Sequence, residues 1–75
     1  MSLKRDLAKK IETLEKEMQM LESKRSRSMA ALLEALISRR EPNEIELQYF
    51  RQYSSEIEFK REKLIEYTAR LKSLM

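Results

Sequence analysis

The 75-residue chain contains no glycine, cysteine, histidine or tryptophan and only one proline, and 39% of its residues are charged. This length allows one domain, spanning residues 1–75, and a chain so short buries only about 60% of its unfolded surface. Without histidine or cysteine there is no imidazole base, thiol nucleophile or ordinary zinc site. The composition therefore predicts a non-enzymatic protein without catalytic residues, metal ligands or cofactors.

The sequence shows no segment that would target it to a membrane. Its longest apolar run, from Met29 to Leu33, is five residues long, whereas a membrane-spanning helix needs about 20. The charged N-terminal residues lack the apolar stretch of a signal peptide. We therefore expect a cytoplasmic protein.

Helix-forming residues dominate, and Pro42 is the only strong helix breaker. The pattern predicts a first helix over residues 3–40, a turn at 41–42 and a second helix over 43–74. Pro42 is expected to begin the second helix, because its fixed φ suits the first turn. Arg39 and Arg40 are expected in the last turn of the first helix, where cations are favoured.

Apolar residues recur at intervals of three and four in both segments, as in a coiled coil. We call this stripe the seam. In the first helix the predicted seam comprises Leu7, Ile11, Leu14, Met18, Leu21, Arg25, Met29, Leu33 and Leu36. In the second it comprises Leu47, Phe50, Tyr53, Ile57, Lys60, Leu64, Tyr67, Leu71 and Leu74. The two steps of four around Arg25 predict a local break in the heptad repeat.

Folding the chain at Pro42 brings the two stripes into register, with Leu33 buried against Phe50. The predicted fold is therefore all-α, an antiparallel two-helix hairpin that resembles a coiled coil. Because one hairpin is short of core, we expect it to dimerise into a four-helix bundle.

Arg25 and Lys60 are the two cations in the predicted seam. In this register Arg25 lies opposite Ile57, and Lys60 lies opposite Leu21 and near Glu22. Such side chains either reach the edge of the seam and pair with glutamates, or form a polar layer that fixes register or partner choice. The two interpretations are compatible.

Each residue of an α-helix is rotated by about 100° from the one before it. By this count a second set of large apolar residues lies outside the predicted seam. A helix that is apolar on more than one face is normally buried on more than one face. We therefore expect one surface for self-association or for a partner helix, with scattered surface hydrophobics as the alternative. Its predicted members are Leu32, Ile37, Ile45, Tyr49 and Phe59.

These features predict a protein–protein interaction module, either a homodimer or an adaptor that holds an amphipathic helix of a partner. In size, two-helix layout and the Gln48–Tyr49 pair after the turn, the chain resembles the small hairpin co-chaperones of type III secretion needle subunits. That resemblance implies a chaperone role for a secretion-system subunit. Nucleic-acid binding is a less favoured alternative, since residues 1–40 carry ten cations and six anions.

Overall fold

The computed structural model describes residues 2–75 and consists of two α-helices, α1 (Leu3–Ile37) and α2 (Glu44–Ser73), which pack against each other as a hairpin. The hairpin measures 55 × 16 × 15 Å, a length that follows from α1 at about 1.5 Å per residue. The predicted all-helical hairpin is thereby confirmed. Within residues 2–75, neither helix contains a stretch long and apolar enough to cross a membrane.

The first helix ends three residues earlier than predicted, because a Schellman motif closes it. The Arg40 amide donates to the Ala35 carbonyl at 2.8 Å, and the Arg39 amide donates to the Leu36 carbonyl at 3.1 Å. Arg39 adopts the left-handed conformation, with φ at 56°. Arg39 and Arg40 therefore lie beyond the last turn of α1, which ends at Ile37.

Pro42 does not begin α2, because Asn43 caps that helix. Asn43 Oδ1 accepts a hydrogen bond from the Ile45 amide at 2.8 Å, which satisfies one of the free donors at the helix start. The first helical residue is therefore Glu44, and Pro42 precedes the cap. Glu44 and Glu46 lie in the first turn, where carboxylates are favoured by the helix dipole.

Replacing Arg39 with glycine should stabilise the hairpin by roughly 0.5–1 kcal/mol. A left-handed conformation strains a residue with a Cβ atom, and the relief exceeds the extra chain entropy that glycine loses. Arg40→Gly is the matched control and should destabilise, because Arg39 is the only residue with positive φ among residues 2–75. Thermal unfolding followed by circular dichroism measures both variants. An equal loss of stability in the two would contradict the strain at Arg39.

The seam of α1 is an unbroken heptad repeat. Its members are buried or half-buried, whereas Leu33 and Leu36 are 51% and 62% exposed. The predicted break after Arg25 and the predicted burial of Leu33 against Phe50 are therefore wrong. The observed seam comprises Leu7, Ile11, Leu14, Met18, Leu21, Arg25, Ser28, Leu32 and Ala35.

The seam of α2 follows the prediction from Leu47 to Leu71, with every member buried or half-buried and Ile57 only 1% exposed. Leu74, the last predicted member, is 38% exposed and lies beyond the helix. An even alternation of three and four keeps a stripe facing its partner along the whole length of a helix pair. The α1 seam satisfies that requirement throughout, and the α2 seam satisfies it from Phe50 to Leu71, whereas Leu47 lies three residues before Phe50 and so falls toward one flank.

Two contacts between the helices fix their register. Lys60 Nζ lies 2.5 Å from Glu17 Oε2, and Lys10 Nζ lies 5.5 Å from the centre of the Tyr67 ring. Lys60 was predicted beside Glu22, so the observed register is displaced by about one helical turn. The longer connection accounts for part of this displacement, since α1 ends earlier than expected.

The displaced register explains why Ser28 belongs to the seam. Counting along both helices from the Glu17–Lys60 pair places Ser28 within one residue of Phe50, and Arg25 within one residue of Tyr53, in each case the nearest seam residue of α2. A small residue opposite an aromatic ring lets the two helices approach closely without a clash. Ser28 is accordingly 4% exposed, although its side chain is less apolar than that of its neighbour Met29.

Candidate interaction surface

The seam separates two lateral faces of the hairpin. Near the closed end, Met29, Leu33 and Leu36 each come directly after a seam residue. Each therefore lies about 100° around the helix from the seam, and all three lie on the same flank. In an antiparallel pair the equivalent flank of α2 faces the same side, and Leu47 lies on it. We call this surface, with the neighbouring Ile37, the Leu33 face. Its members are Met29, Leu33, Leu36, Ile37 and Leu47.

The Leu33 face is apolar and open. Its four α1 members are between 43% and 82% exposed, and Leu47 is half-buried at its edge. Single exposed hydrophobic residues are normal on a protein surface, but a contiguous apolar patch marks a site of interaction. The placement of these side chains along one flank makes this the clearest candidate site of the hairpin.

The opposite flank carries the contacts that join the helices. The Glu17–Lys60 ion pair and the Lys10–Tyr67 contact both lie there. We call this surface the Tyr49 face, after the exposed aromatic residue of α2 that shares it.

Aromatic residues on the Tyr49 face already have partners within the chain. The Tyr49 ring stacks on that of Tyr53, with centroids 6.0 Å apart and planes inclined by 18°. The Lys63 ammonium lies 5.8 Å from the centre of the Phe59 ring. Such contacts occupy part of each ring surface, so this face presents less free apolar area than its sequence suggests.

The five residues predicted to share a partner surface occupy three places. Leu32 is half-buried on the seam, Ile37 lies on the Leu33 face, and the three α2 residues lie on the Tyr49 face. Ile45 and Phe59 are 58% and 60% exposed. Sequence reasoning missed three members of the Leu33 face because it assigned Met29, Leu33 and Leu36 to the seam. Continuing the heptad repeat past Arg25 would have identified them.

The two cations of the predicted polar layer both lie half-buried along the seam. Lys60 pairs with Glu17 instead of the predicted Glu22. The α2 seam residue nearest Arg25 is Tyr53 instead of Ile57, for the same reason of register. Lys60 retains 27% of its side-chain exposure, so its ammonium reaches the edge of the seam as a long side chain can.

Within residues 2–75, no group of three or more acidic residues is arranged to hold a metal ion. Comparison of the chain with protein-family models, curated proteins and solved structures finds no match.

Proposed function

We propose that the hairpin is a protein–protein interaction module that associates with another helical surface, in the first place a second copy, to form a four-helix bundle. The observation that carries this proposal is its exposed area. The hairpin exposes 6157 Å², whereas a compact folded chain of its mass exposes about 4,900 Å². The hairpin therefore exposes about 1,250 Å² more than a compact chain of the same mass, as expected of a fold in which side chains lack a covering element.

The small core supports the same proposal. Among residues 2–75 only three apolar side chains, Leu7, Leu21 and Ile57, are buried. A core this small contributes little against the entropy that folding costs. Covering one more face of each helix adds the missing apolar burial, and a four-helix bundle does so with the packing that both seams already display.

An adaptor is a second form of the same function. The Leu33 face presents apolar residues from α1 beside Leu47 of α2, a width that suits one amphipathic helix lying in a groove. The observation that favours this form is the concentration of the patch at the closed end. A chaperone of a helical subunit would use the surface in this way, in competition with self-association.

Sedimentation velocity across a wide concentration range, at low and at high salt, tests the proposal. Apolar association should persist at high salt, so a dimer is expected under both conditions. Binding to heparin or DNA that is lost at high salt would instead favour nucleic-acid recognition, because counterion release makes such binding fall steeply with salt. A chain that stays monomeric at every concentration would contradict self-association.

A further inference from the structure

We infer that a second copy of the chain covers the Leu33 face, with the closed ends of the two hairpins at the same end of the dimer. This inference rests on the function proposed above and adds to it the surface and the relative orientation. In this arrangement a two-fold axis runs along the hairpin, and α1 of each copy lies against α2 of the other.

The Leu33 face is favoured over the Tyr49 face because burying the Tyr49 face would desolvate an ion pair. Covering the Tyr49 face would remove the Glu17–Lys60 ion pair from water, and both side chains are now partly exposed, at 43% and 27%. Removing an ion pair from water costs desolvation free energy, and the attraction between the two charges does not fully offset that cost. The five members of the Leu33 face are apolar, with the exposed Glu44 and Arg51 one turn from Leu47 on either side, so its burial removes mainly apolar area from water and does not bury the ion pair between the helices.

The area of the hairpin favours a second copy over a short segment. A stable interface buries about 800 Å² on each partner. One side of the hairpin, 55 Å long and about 16 Å wide, has an outline of that size. A partner of the same length can cover all of it, and a second copy brings its own Leu33 face to the interface. A short helix would cover the closed end alone.

The position of the patch favours closed ends together. The α1 members of the Leu33 face lie within residues 29–37, and Leu47 lies beside them across the connection. If fully overlapping hairpins pointed in opposite directions, the two patches would be separated by most of the 55 Å length. An overlap of the tips alone would join the patches but would bury far less than a stable interface needs. Only full overlap with closed ends together satisfies both requirements.

The charges on this side of the hairpin favour the same orientation. On this flank of α1, three of the four charged residues are acidic, Glu12, Glu15 and Glu22, and the fourth is Arg5 near the open end. Hairpins pointing in opposite directions would place this flank on its own copy. Closed ends together place it on the matching flank of α2, which carries both signs: Arg51, Arg61 and Lys72 with Glu44 and Glu58. Like charges placed opposite each other disfavour an interface.

The surface is tested by three variants in sedimentation velocity. Leu33→Glu should raise the dimer dissociation constant by about 100-fold or more, because each dimer loses two buried leucines and gains two buried charges. Met20→Glu and Tyr49→Glu are the matched controls and should leave it within about threefold. Met20 is 62% exposed and lies away from the Leu33 face. Circular dichroism should show similar helicity in all three, since each residue is exposed in the hairpin.

The orientation is tested by distances between spin labels, which the absence of cysteine makes simple. Arg40→Cys carries one label at the closed end, and Ser73→Cys carries one at the open end. With closed ends together, each singly labelled dimer should give a distance well below the 55 Å hairpin length. Distances near the full length in both would overturn the orientation.

Two outcomes separate this inference from the function that it refines. A dimer that survives Leu33→Glu but dissociates on Tyr49→Glu would overturn the inference and leave the interaction module standing. A wild-type chain that is monomeric at all concentrations would overturn both the inference and self-association.

Discussion

Replacing Ile57 with alanine should lower the free energy of unfolding by about 2–5 kcal/mol, enough to leave an isolated hairpin largely unfolded. Ile57 is 1% exposed and is the only large side chain that is fully buried among residues 2–75. Truncation removes its buried methyl groups and leaves a cavity that two rigid helices close only in part. Ile57→Val should cost about 0.5–1.5 kcal/mol, since it removes one methylene.

Urea titration followed by circular dichroism measures the loss at Ile57. Met20→Ala is the control, because Met20 is 62% exposed and its truncation should change stability by less than about 0.5 kcal/mol. An Ile57→Ala variant as stable as the control would mean that the helices do not pack through this residue.

Replacing Ser28 with leucine should lower the free energy of unfolding by about 1–3 kcal/mol. Ser28 is 4% exposed and lies within one residue of Phe50 across the seam, so a larger side chain would push the helices apart. Ser23→Leu is the matched control, since Ser23 is exposed on the same helix and leucine is the better helix former. Ser28→Ala should be close to neutral, because it keeps the small volume.

The comparison of the two leucine variants also tests the seam itself. If Ser28→Leu stabilised the hairpin as much as Ser23→Leu, the seam would run through Met29 and the heptad repeat would be broken after Arg25. Thermal unfolding of the four proteins, wild type included, is sufficient to decide.

The sequence predicts the two helices, the hairpin and most of the seam, because apolar residues at heptad spacing form one stripe on each helix, which the helix buries against its neighbour. The prediction fails after Arg25, where Met29 and Leu33 are more apolar than Ser28. Transfer free energy favours the larger residues, but the space left by the α2 aromatic residues decides the packing. That space is a property of the helix pair and is not visible in α1 alone.

The end of α1 could not be predicted for a different reason. Schellman motifs are usually recognised by a glycine in the left-handed position, and this chain has no glycine. The error in the helix end then carried into the register and into the candidate surface. Ile37 was identified correctly as lying outside the seam, but its neighbours on the Leu33 face were not.

Glu17, which forms the ion pair between the helices, has one lysine seven residues before it and another seven residues after it. Lys10, Glu17 and Lys24 are spaced by seven residues on α1, and Lys60 pairs with the middle one. If the helices slid past each other by one heptad, in either direction, Lys60 would meet a lysine. The partly exposed pair itself contributes only about 0–1 kcal/mol, but each slipped arrangement replaces attraction with repulsion. A pair that adds little to stability thus selects one alignment from a repeat that would otherwise tolerate three.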